Sequence, residues 1–189
     1  CGWFAYHSKK KAENKLLQER HQERAAEVEA AQVEEPISRT LAIDALRIEL
    51  GYGLLPMIND ASAEPRLDDQ VRALRRQLAM DYGFVLPSVR ILDNMVLQPN
   101  EYVVFMKETE IARGELRIGK LLVINASGQD LGIPGEPTKE PVFQLPALWI
   151  DREMREEAGF RGLTVVDCGT IVTTHLTELV KDNVADLLS

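Results

Sequence analysis

Leu67, Val71, Leu74, Leu78 and Tyr82 fall three or four residues apart, and that spacing constrains the chain more than any other feature. It predicts a helix with one apolar stripe, stable only when the stripe is buried against a partner surface. Asp68 and Asp69 sit at the positive N-terminal end of this helix, and Gly83 supplies a C-terminal stop. Arg72, Arg75 and Arg76 lie largely on its outer side.

Short alternating runs supply the partner surface. Leu46 to Leu50, preceded by Thr40 to Ile43, fits a half-buried strand. Gly51-Tyr52-Gly53 breaks it, and Leu54 to Ile58 reads as a short apolar turn. Further strands are predicted over Val89 to Leu92, Glu101 to Met106, Glu110 to Leu116, and Leu121 to Asn125, with Asp93-Asn94 and Pro99-Asn100 as turns. Ser127 to Lys139 reads as a Gly/Pro-rich loop, Asp151 to Ala158 as a short helix and Leu163 to Val166 as a strand. A closing helix runs from Thr170 to Leu188, with Val172, Leu176, Val180, Val184 and Leu187 on one face. Strands and helices mix without strict βαβ alternation, so the expected fold class is α+β.

Upstream, Ser8 to Glu35 is rich in Glu, Lys, Gln, Arg and Ala with few large apolar residues, which predicts a polar helical linker ended by Pro36. Cys1-Gly2-Trp3-Phe4-Ala5-Tyr6 runs into Lys9-Lys10-Lys11, the order found where a transmembrane helix leaves on the cytoplasmic side. A lipid-bearing Cys1 at the start of a mature periplasmic lipoprotein is the other reading of the same residues. The net charge of −8 excludes general nucleic-acid binding, which needs Lys and Arg to neutralise phosphates. Only Cys1 and Cys168 occur, so there is no disulfide framework, and a reducing compartment fits better.

The catalytic inventory is thin. No glycine-rich nucleotide loop and no nucleophile elbow is present. His7 and His21 read as solvated residues, and His175 as a structural residue of the closing helix without ligands at metal spacing. Cys168 lacks a CxxC partner, and Asp93 reads as a turn cap. No enzyme and no cofactor is expected. One stretch stands out, Glu140 to Ile150, where Pro141 and Pro146 bracket apolar residues. Proline cannot donate to a central ladder, so an edge or an irregular loop is expected. Phe143 in it reads either as core or as an exposed anchor for a protein partner. Thr174 points away from the apolar face of the closing helix.

An ordered set of segments resembles the bacterial type III export-gate family, which has flagellar and virulence-secretion members. The segments are Leu46 to Pro56, Leu74 to Ala79, Gly83 to Pro87, Val89 to Asn94, Glu140 to Phe143, Pro146 to Ile150, and Thr174-His175-Leu176. The resemblance implies a cytoplasmic docking platform, flagellar by preference, that binds export chaperone–substrate complexes and assembles as a nine-membered ring. It also implies contacts with other export-apparatus proteins and a place at the cytoplasmic face of the inner membrane, held there by a membrane half outside this sequence. The implied organisation is a juxtamembrane segment and linker over 1–37, with 8–36 touching the neighbouring subunit. A first subdomain would span 38–118 and 168–189, with a second inserted over 119–167. The implied chaperone-binding residues are Glu140, Phe143 and Thr174, with Val166 in the wall of the same hollow. Phe143 would fill a gap in the partner, and Glu140 and Thr174 would orient it by hydrogen bonds. Gln144 stands where the family usually has glycine.

Overall fold

A computed structural model describes residues 44–60, 65–83 and 85–188. All of them belong to one compact unit, Asp44–Ser189. The juxtamembrane segment, the linker over 8–36, the strand expected at Thr40 to Ile43, Cys1, His7 and His21 lie outside the described residues.

Two four-stranded sheets organise the unit. In the first, β1 (Leu46–Leu50) is flanked by β2 (Val89–Asp93) and β3 (Glu101–Met106), and β4 (Thr109–Glu115) pairs with β3 at the edge. β1 and β2 run parallel, which requires a crossover. Helix α2 (Leu67–Tyr82) provides it, following a short helix α1 (Pro56–Asn59). Leu67, Val71 and Leu78 of α2 are buried as the spacing predicts, and Gly83 closes the helix at φ +69°. Tyr82 departs from the expected stripe and is 59% exposed. It occupies the final position of α2, next to the left-handed Gly83 that closes the helix.

The second sheet has the order β6 (Glu136–Lys139), β7 (Pro146–Asp151), β5 (Lys120–Ile124), β8 (Val165–Val166), with every pair antiparallel. Two expectations are corrected here. The Gly/Pro-rich loop ends in a strand, β6, whose Pro137 lies at the sheet edge where a missing N–H costs nothing. Pro146 opens an inner strand, and as its first residue it needs no ladder donor; its carbonyl accepts from Asn125 N–H at 2.8 Å.

Buried residues form two clusters. The larger gathers Leu46, Ile48, Leu50, Val71, Leu78 and Tyr102 with Leu122 and Trp149 of the second sheet. The smaller sits on the opposite side of β5 and β7, where Leu121, Val123 and Ile150 meet Ile133 and Ala158. β5 is therefore buried on both faces, which explains its unbroken apolar run. Ala158 belongs to α3 (Arg155–Phe160).

The closing helix is two helices, α4 (Cys168–Asp182) and α5 (Val184–Leu188). The break falls at Asn183, whose side-chain amide bonds the Leu179 carbonyl at 2.7 Å and competes with the helical ladder. Val172, Leu176 and Val180 are buried as expected, while Val184, beyond the break, is half-buried. At the other end Asp167 caps α4 by accepting from Thr170 N–H at 2.7 Å. The fold is α+β.

Candidate functional site

The six residues 140–145 form a closed loop between β6 and β7. Glu140 N–H donates to the Leu145 carbonyl at 2.9 Å, and Gln144 N–H donates to the Glu140 carbonyl at 3.1 Å. The Glu140 side chain turns inward and is 4% exposed. One carboxylate oxygen accepts from Val142 N–H at 2.7 Å. The other accepts from Phe143 N–H at 2.6 Å and Leu145 N–H at 3.1 Å. A buried charge is tolerated only when it is this well satisfied. The Glu140 carboxylate is thus engaged by three amides of its own loop.

The same clamp pushes Phe143 outward, where it is 59% exposed, so the core reading of this residue is excluded. Gln144 adopts φ +58°, the left-handed region, and its Nε2 donates to the Pro141 carbonyl at 3.1 Å. The loop demands positive φ at this position, the conformation glycine adopts at no steric cost.

Beneath the loop lies a buried polar junction. Tyr102 of β3, fully buried, hydrogen-bonds through its hydroxyl to Nδ1 of His175 at 2.8 Å, with the rings edge to face. Pro141 and the Tyr102 ring both crowd Gly114 of β4, where an added Cβ would approach each to 2.7 Å. Burial pulls the His175 imidazole below its ordinary pKa, and the nearby Glu140 charge opposes this. Burial, then the Glu140 charge, raises the Tyr102 phenol above its usual range. The Glu140 carboxylate thus lies close enough to act on both.

Thr174 is exposed on α4, next in sequence to His175. The structure therefore ties the 140–145 loop to the turn of α4 that carries Thr174. Val166 is half-buried, pairs with Leu122 and packs against the larger cluster, so its place is in the wall of the core. His175 was legible as structural and Pro141 as one side of the proline bracket, but Tyr102 and Gly114 carried no sign of their part in the site. The available signal was an imidazole on a buried helix face, which needs a polar partner somewhere.

Other chemistry is sparse among the described residues. No group of three His, Cys, Asp or Glu side chains could hold a metal. Cys168 donates its thiol to the Arg117 carbonyl at 3.3 Å, and burial pushes its pKa up to about 11, too high for a nucleophile near neutrality. Asp93 is exposed; Asn94 does the turn work, accepting from Val96 N–H at 2.9 Å. An open hollow of about 630 Å³ is lined by residues including Glu101, Arg113, Glu115 and Arg117. Both of its arginines are paired with glutamates. No helix among the described residues is long and apolar enough to cross a membrane.

The described residues thus form a two-sheet α+β module that carries an outward aromatic on a clamped loop. The same fold occurs in the Chlamydia pneumoniae CdsV protein, with a TM-score of 0.65 and 18% identity over 78% of this chain and 43% of that one. It occurs also in the nonameric EPEC SctV-C, with a TM-score of 0.52 and 13% identity over 79% of this chain and 43% of that one. The chain belongs to the FHIPEP family, whose model matches residues 1–189. It is 56% identical over 156 residues to the flagellar biosynthesis protein FlhA of Caulobacter vibrioides, covering 82% of this chain and 22% of the relative. It is 42% identical over 166 residues to the FlhA of Bacillus subtilis, covering 88% of this chain and 24% of the relative. The chain thus spans about a quarter or less of the length of these relatives.

Proposed function

We propose that this chain forms part of the cytoplasmic docking platform of a flagellar type III export gate and receives export chaperones with their cargo. The observation that carries the reading is Phe143, 59% exposed on a loop whose backbone is held by three hydrogen bonds to a buried carboxylate. An exposed aromatic costs solubility and is favoured where it fills a partner's pocket, and a rigid bearing lowers the entropy lost on binding. In this reading Thr174 supplies a hydroxyl at the surface of α4, and Val166, packed against the larger cluster, is assigned to the wall of the same hollow.

The flagellar branch is favoured over the virulence branch by the names of the curated relatives. Assembly as a nine-membered ring and a place at the cytoplasmic face of the inner membrane belong to the same proposal, and the nonameric state of EPEC SctV-C, which shares the fold, supports the ring. In this reading residues 119–167 form a subdomain inserted into 38–118 and 168–189, the linker over 8–36 meets the next subunit, and no catalysis is assigned. Family membership over the whole chain favours this reading over a lipid-anchored domain starting at Cys1.

Calorimetry with a purified flagellar export chaperone bound to its cargo tests the proposal. Phe143→Ala leaves the fold intact and weakens binding by about 1–3 kcal/mol, the usual cost of truncating an interface anchor. Unchanged affinity in a folded variant overturns the site assignment.

A further inference from the structure

Glu140, Tyr102 and His175 are 4%, 0% and 6% exposed, so none of them can reach a partner protein. They nevertheless stand between the two exposed members of the candidate site. Glu140 fixes the three amides that aim Phe143 outward. Pro141, next to it, is buried and closes on Gly114 together with the Tyr102 ring. The Tyr102 hydroxyl then bonds His175, whose chain neighbour is Thr174. The packing at Gly114 is tight: a single added Cβ there would collide with both Pro141 and Tyr102.

We propose that Glu140, Tyr102 and His175 are positioning residues that fix the Phe143 loop relative to the Thr174 turn of α4, and that a partner reads the resulting spacing without touching any of them. This rests on the docking reading above and assigns Glu140 a role distinct from partner contact. A loop held from below binds without a further ordering step; loosening it lowers affinity even though every contact residue is still present.

Tyr102→Phe removes one oxygen and keeps the ring that Gly114 and Pro141 enclose. In the full chain, at a temperature where the variant is entirely folded, it weakens binding of the chaperone–cargo complex about 3- to 10-fold, the scale of one lost hydrogen bond. In a Phe143→Ala background the same change produces no further loss, because it acts through Phe143. A purely structural role would lower the melting temperature and leave the affinity of the folded protein unmoved, and that result overturns the proposal. Equal losses in both backgrounds overturn it too. If Phe143→Ala itself binds normally, the docking reading fails, and amide exchange decides the positioning claim without any partner. Faster exchange of the Phe143 and Leu145 amides in Tyr102→Phe, by about an order of magnitude, upholds the link between junction and loop. Unchanged exchange breaks it.

Discussion

Replacing Glu140 by glutamine keeps the shape of the side chain and removes one acceptor. The carboxylate serves three backbone donors, at 2.7 Å on one oxygen and at 2.6 and 3.1 Å on the other. A glutamine oriented to keep its oxygen toward Phe143 and Leu145 turns its own NH2 toward the Val142 N–H, donor against donor. One charge-assisted hydrogen bond is lost, at about 1.5–3 kcal/mol, and the two that remain become ordinary neutral bonds. Relief from burying a charge offsets part of this. The expected net loss is about 2–4 kcal/mol, because Glu140 is 4% exposed and water cannot replace the missing acceptor. Urea unfolding followed by circular dichroism measures it, and for a slope of about 1–3 kcal/mol per M the midpoint falls by roughly 1 M or more with the slope unchanged. Removing the charge also lets the His175 pKa fall further, since the Glu140 carboxylate is what opposes the effect of burial there. A loss below about 0.5 kcal/mol, with the His175 titration unmoved, would refute the clamp.

Gly51→Ala places a Cβ 2.0 Å from the backbone carbonyl oxygen of Gln98, which cannot step aside, and costs about 3 kcal/mol or more in denaturant unfolding. Gly169→Ala meets only the flexible end of Gln70 and costs under about 1 kcal/mol in the same assay. Gln144→Gly relieves a left-handed backbone and is more stable than Gln144→Ala by about 1 kcal/mol; the reverse order contradicts the strain argument. His175 has a folded pKa below its ordinary 6.5, so the unfolded chain binds the extra proton first as pH falls. The stability that neutral His175 contributes is therefore complete above about pH 6.5 and is lost on acidification below it. A His175→Gln variant shows a flatter urea midpoint between pH 7 and the onset of carboxylate titration near pH 5, and parallel curves would contradict the assignment.

Helix α2, β1 and β3 were legible because each carries a complete period of apolar residues and meets its stop in a glycine or turn. β6 was not, since its Glu136, Pro137 and Lys139 belong to an edge strand whose apolar support comes from β7, a long-range pairing that no local pattern encodes. The break at Asn183 was hidden because the apolar spacing of α4 continues through it into Val184 and Leu187. At the site, the proline bracket and the outward Thr174 could be read directly. The inward turn of Glu140 could not, because a glutamate beside exposed residues reads as exposed until the backbone around it is known. Tyr102 and His175 are 73 residues apart, and only the folded sheet brings them together.

Hydrogen exchange of the full chain with and without a flagellar chaperone–cargo complex tests the docking claim most directly. Slowed exchange is expected over 140–145 and over the α4 turn around Thr174, with the buried strands β1 and β5 unaffected. Protection centred elsewhere, such as the exposed Met95-Val96 turn, with none at 140–145, would contradict the account.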